Sequence, residues 1–226
     1  MHVNPGVVDG AKIVLSYATA AGAFGLASKM ALDTLRQNGA TALVARSAIC
    51  TALVFSFFQI LPHYAVGVSE VHLILGSTLF LMFGGGAASI GLALGLLIQG
   101  VFFAPFDLPQ YGMNVTTLLV PLAGLGFLAR KIVAPNTAYV DLSYGQALAM
   151  STAYQGGIVA WVGFWAFYGQ GFGAANVAAV TSFGAAYMLV VAIEPLIDLA
   201  VLAAAKALNG ISSGPLFNAR LHRAAA

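Results

Sequence analysis

Seven apolar stretches dominate the chain, at roughly 11–31, 40–61, 71–84, 86–104, 113–134, 143–168 and 176–206. A bilayer core needs about 20 mostly apolar helical residues to cross it. Backbone groups inside that core must be paired within the chain, so such stretches fold as helices. The sequence therefore predicts an all-α integral membrane protein, a single transmembrane domain over 1–226 with seven transmembrane helices. Composition agrees, with 7% charged and 60% hydrophobic residues against roughly 25% charged in a soluble domain. A net charge of +2 gives no footprint for nucleic acid, so the expected surroundings are the lipid bilayer. The third stretch, "VHLILGSTLFLMFG", is short and runs into Gly84, Gly85 and Gly86, which suits a tight turn.

Lys and Arg set the orientation. Lys29, Arg36, Arg46, Arg130, Lys131, Lys206, Arg220 and Arg223 all fall on one side of a seven-pass chain, and only Lys12 is out of step. The N-terminus is expected outside and the C-terminus in the cytoplasm, in a multi-pass protein of the cell's inner (cytoplasmic) membrane. Asp9 and Lys12 interrupt the early sequence and no basic region precedes it, so no cleaved signal peptide is expected and Met1 belongs to the mature chain. The polar stretch "DTLRQNG" divides the chain. The expected layout is an N-terminal segment (1–10), an added first helix and loop (11–39), a six-helix core (40–206) and a cytoplasmic tail (207–226).

The single cysteine, Cys50, excludes a disulfide framework and a thiolate zinc site. Of the four histidines, His222 falls in the basic tail, where solvation accounts for it, and His2, His63 and His72 share the outer side. His72 is expected at the outer start of a helix. Imidazole is the commonest metal ligand, although a lone histidine there is also explained by hydrogen bonding. The dipeptide Met1-His2 offers three linked nitrogens: the terminal amine, the His2 amide and its Nδ1. They close a five- and a six-membered chelate ring in one plane and leave a fourth corner that another imidazole could fill. A planar nitrogen set suits Ni(II) or Cu(II), and Co(II) less strictly. The bland alternative is that "MH" is an accident of a start codon. "NPG" (Asn4, Pro5, Gly6) supplies turn chemistry for folding the terminus back into the outer mouth.

Ser69, Gln99 and Asn114 are candidates to orient ligands, and helix–helix hydrogen bonding explains Gln99 and Asn114 equally well. Glu194 and Asp198 stand four apart on one helix face, with Pro195 expected to bend the helix between them. Acids within a span face the bundle interior or a partner, in a functional or a structural role. No phosphate-binding loop is present, so ATP hydrolysis is not expected of this chain, nor any other enzyme activity. Two alternatives use the same residues. One is a secondary metal/proton transporter working through Glu194 and Asp198. The other is an intramembrane hydrolase using Ser69 and His72, for which no Gly-x-Ser-x-Gly elbow is present.

The ordered set of these motifs resembles the CbiM/NikM family, the cobalt/nickel substrate-binding components of energy-coupling-factor transporters. "MHVNPG" is similar to that family's Met-His start. "ALVFSFFQILPHYAVGVSEVHLILGS" follows its aromatic helix and proline loop, with Ser69, His72, Leu73 and Gly76 in matching places. "LLIQGVFF", "GMNV" and "AIEPLID" resemble later family stretches. Glu70 stands where the family has a small residue, and Pro195 where it has glycine. The resemblance implies a six-helix core with an added N-terminal helix. It also implies metal ligands on the Met1 amine, the His2 amide and ring and the His72 ring; His63, on the same outer side, is an alternative ligand outside that set. The implied cargo is Ni(II) or Co(II), with no prosthetic group. The implied partners are a coupling transmembrane subunit and two cytoplasmic ATPases.

Overall fold

The computed structural model describes residues 2–212 and 214–223. A short 3-10 turn, Gly10–Ile13, leads into α1 (Val14–Gln59). A β-hairpin follows, β1 (Tyr64–Val66) and β2 (Ser69–Val71). Then come α2 (Gly76–Phe83), α3 (Gly85–Phe102), α4 (Tyr111–Ile132), α5 (Tyr144–Gln170), α6 (Ala174–Ala207) and the one-turn α7 (Asn209–Ser212). Among the described residues, four helical stretches are long and apolar enough to cross a membrane: Gly10–Gln59, Gly85–Phe102, Pro105–Ile132 and Ala174–Ala207. At 27 residues α5 is also long enough, about 40 Å at 1.5 Å per residue.

The first stretch is two arms in one. Its backbone leaves helical geometry at Gly39, where φ is 81°. Ser16 and Thr19 lie beside Gly112 and Thr116 of α4, so the first arm runs with α4. Cys50 and Val54 lie beside Gly91 and Gly95 of α3, so the second arm runs with α3, in the opposite direction. A Cβ at Gly91 would meet Cys50 Cβ at 2.3 Å, which shows how closely these helices approach. The stretch Asp33–Gly39, expected as a loop, is helical up to the break at Gly39.

The third stretch also departs from expectation. Only Gly76–Phe83 is helical, eight residues or about 12 Å. The chain from His72 to Leu75 is extended or irregular, and His72 precedes the helix by four residues. The third crossing is therefore part unwound strand and part short helix. Unwound backbone at membrane depth is tolerated only where protein supplies its hydrogen bonds. Here Glu194 of α6 does so, accepting from the N–H groups of Ile74 (3.1 Å) and Leu75 (2.9 Å). The amide of Gln155 on α5 donates to its other oxygen. One turn further along α6, Asp198 accepts from the Thr78 hydroxyl. Both acids thus sit at the N-terminus of α2, where the helix dipole favours negative charge. α6 itself continues through Pro195 as a single helix.

The crossings leave two distinct ends. The histidine end gathers residues 2–8, the β-hairpin and the start of α4. The basic end gathers the turn at Gly39, the start of α3, and the chain around 133–143 and 214–223. α5 begins there with a capping box: Ser143 accepts from Gln146 N, and the Gln146 side chain accepts from Ser143 N. The tail does not hang free at this end. Tyr139 N and Val140 N donate to the carbonyls of Arg220 and Leu221. The Arg220 guanidinium donates to the carbonyls of Val133, Ala134 and Thr137, and Arg46 donates to Pro215 O at 2.9 Å.

Candidate metal centre

The site is built by strand pairing between distant parts of the chain. Asn4, Pro5, Gly6 and Val7 form a turn in which Val7 N donates to Asn4 O at 3.1 Å. Proline second and glycine third, with Gly6 at φ 86°, is the pattern of a type II turn. The expected reversal at "NPG" is therefore present, and Val3, Val7 and Val8 are buried beneath it. The hairpin connection is two residues, Gly67 and Val68, with positive φ only at Gly67, as a type II′ turn requires. Gly67 also meets α6 so closely that a Cβ would lie 2.0 Å from Ala179 O.

Residues 2–4 lie along β2 as a third, short edge. Val3 bridges Ser69. Glu70 N donates to His2 O at 3.1 Å, and Asn4 N to Val68 O at 3.1 Å. Two of the expected orienting side chains fasten this segment: the Ser69 hydroxyl donates to His2 O at 2.8 Å, and Asn114 Oδ1 accepts from Val3 N at 2.9 Å. Gln99 is buried on α3, and among the described bonds none joins its side chain to His2, Glu70 or His72.

This pairing brings His2 and His72 together, 3% and 1% exposed, with ring centroids 5.5 Å apart. Phe58 packs edge-on against both rings. His63 lies flat on His72, 4.8 Å between centroids and 14° between planes, with its Nδ1 3.1 Å from Leu61 O. The expected outer histidines thus converge, while His222 lies at the basic end. Met1, expected as a ligand, lies outside the described residues.

The residue that sequence reasoning left out of the site is Glu70. Its Oε2 lies 2.9 Å from His2 Nδ1 and 2.9 Å from His72 Nε2. One donor atom from each of His2, Glu70 and His72 lies within 4.8 Å of the others. Asp107 adds a second carboxylate, 3.8 Å from His2 Nδ1. Burial holds His2 below the usual imidazole range, against the pull of the Glu70 carboxylate. Burial pushes Glu70 up, but hydrogen bonds from the two rings outweigh it and hold the carboxyl well below the ordinary carboxylate range. His2 is therefore a neutral imidazole and Glu70 an anion near neutral pH. With neutral rings, His2 Nδ1–H and His72 Nε2–H both donate to Glu70. That leaves His2 Nε2 and His72 Nδ1 buried without a hydrogen-bond partner among the described residues. Neutral imidazoles and an anionic carboxylate are the forms that bind metals.

A helical membrane bundle with buried imidazoles and a carboxylate converging at one mouth is the architecture of a metal-transport component. The family described as the cobalt uptake substrate-specific transmembrane region, CbiM, matches residues 2–209, and the chain belongs to it. Two solved structures share the fold. One, described as a transition metal transporter, is 18% identical with a TM-score of 0.69 over 93% of this chain and 94% of that one. The other, a truncated transition metal transporter, is 16% identical with a TM-score of 0.62 over 92% and 97%. Among curated proteins none matches the chain by sequence.

Proposed function

We propose that the chain takes up Ni(II) or Co(II) at its histidine end and hands it inward for ATP-driven uptake. The coupling transmembrane subunit and two cytoplasmic ATPases supply the work. His2 Nδ1 and His72 Nε2 are the ring donors in this reading, and the Met1 amine and His2 amide complete a nitrogen set around the ion. The observation that carries it is the convergence of those two buried ring nitrogens on one point, at Glu70 Oε2. His2 Nδ1 is also the nitrogen that closes a six-membered chelate with its own amide. In this orientation the histidine end faces outside, where scarce metal arrives, and the eight aligned Lys and Arg face the cytoplasm.

Glu194 and Asp198 act in this reading as positioning residues. They hold α6 to the chain just beyond His72, so that movement of α6 against α2 reaches the metal loop. The alternative of a proton path through these two acids is less economical, because each already serves the start of α2.

The test is a comparison of the protein with a free Met1 amine and one carrying an N-terminal extension, titrated with Ni(II) in detergent. Loss of a chelating amine is expected to weaken binding by about 100-fold or more. Equal affinity would remove Met1 from the site.

A further inference from the structure

We infer that Glu70 is itself a ligand to the transported ion, which makes the site a mixed nitrogen–oxygen centre rather than a planar all-nitrogen one. The inference rests on the metal-binding role proposed above and concerns which ions that role admits.

The geometry leaves the carboxylate little alternative. Its Oε2 is within 2.9 Å of both ring nitrogens that point into the site. An ion bound to those nitrogens at the usual distance of about 2.0–2.1 Å lies inside that radius. Movement of an ångström or so brings the oxygen into ligand range, whereas leaving the ion's neighbourhood requires the side chain to swing away. The backbone keeps the root of the side chain beside the site, because Glu70 is fixed on both sides. It pairs with Ala65 in the hairpin, and its N–H is bonded to His2 O. The Glu70 side chain is 27% exposed, whereas those of His2 and His72 are 4% and 0%. Glu70 is therefore the member of the trio nearest to solvent, and the first that an arriving cation meets.

Charge points the same way. Burial penalises a charged ion. In the planar nitrogen set the His2 amide, deprotonated on binding, cancels one of the ion's two charges; a Glu70 carboxylate ligand cancels the other, and Asp107, 3.8 Å from His2 Nδ1, supplies further negative potential. The consequence is selectivity. Four nitrogens in a plane suit Ni(II) and Cu(II), whereas a carboxylate oxygen added to them raises the coordination number and favours ions that accept mixed N/O shells, Co(II) among them.

The test uses the full-length chain with a free N-terminus in detergent, loaded with Ni(II) or Co(II) alone. Four-coordinate planar Ni(II) is diamagnetic, and an added axial oxygen makes it paramagnetic. The wild-type nickel form is expected to be paramagnetic, and that of Glu70→Ala diamagnetic. Glu70→Ala is expected to weaken Co(II) binding by about tenfold while Ni(II) binding stays within about threefold. A diamagnetic wild-type nickel form, or a spin state that Glu70→Ala leaves unchanged, overturns the inference while leaving the metal role standing. A wild-type chain that takes up neither ion overturns the metal role itself. Should Glu70→Ala fail to fold, the wild-type spin state decides alone, together with the nickel coordination number from X-ray absorption, four for the planar set and five or more with the carboxylate bound.

Discussion

Two carboxylates hold the start of the third crossing, one at His72 and the other at Ile74 and Leu75, and they hold different things. Glu70 at the mouth accepts from two imidazole N–H groups. Glu194 deeper in the bundle accepts from the backbone N–H groups of Ile74 and Leu75 and from the Gln155 amide. A metal ion can replace the ring protons around Glu70. No ligand can replace backbone N–H groups, so Glu194 is bound to a structural duty for as long as the chain stays folded. The type of donor, rather than the depth of the acid, separates a binding group from a positioning one.

Apo-protein stability sharpens this comparison first. Glu194→Ala leaves two backbone donors unpaired inside the bundle, at about 1–3 kcal/mol each. A loss of about 2–6 kcal/mol is expected in thermal unfolding in detergent. Glu70→Ala should cost about 1 kcal/mol or less, because water reaches a side chain that is a quarter exposed and can satisfy the rings. Equal losses would break the distinction between the two acids.

A second contrast comes from adding metal. A ligand that binds only the folded state raises its stability according to its concentration relative to Kd, by about 2.7 kcal/mol at a hundredfold excess. Wild type and Glu194→Gln should both gain from Co(II), and Glu70→Ala should gain least. Glu194→Gln should cost far less stability than Glu194→Ala, about 1 kcal/mol. Its remaining carbonyl still accepts the two backbone N–H groups. Gln155, whose Oε1 has no partner among the described residues, can turn to accept from the new amide. A large loss would show that the charge at position 194, and not only its oxygens, stabilises the start of α2.

Much of this architecture is legible in the sequence because it depends on local composition. Apolar length gives the crossings, and the alternating Lys and Arg agree with the basic residues meeting at one end. "NPG" gives the turn at residues 4–7. The third crossing is a different case. Its residues are as apolar as a helix, but the chain around His72 is held by pairing with residues 2–4, more than sixty positions away, and by Glu194, a further 120 along. Such partners leave no periodicity. The hairpin did leave a signal: "YAVGVSEV" places two short runs around a glycine-led two-residue connection. Glu70 was legible as a residue but not as a site member. Its role appears only when the terminal strand sets His2 beside it. Gln99 differs from Ser69 and Asn114: it is buried on α3, but among the described bonds none joins its side chain to His2, Glu70 or His72.

The most direct test of the central claim, that His2 and His72 bind one divalent ion together, is calorimetric titration of Co(II) into the wild-type chain, His2→Ala and His72→Ala. The account predicts one ion per wild-type chain. Each substitution should weaken binding by about 100-fold or more, and the loss in the double variant should differ from the sum of the two, because the two rings act on one ion. Wild-type affinity in either single variant, or two independent losses that add, would contradict it.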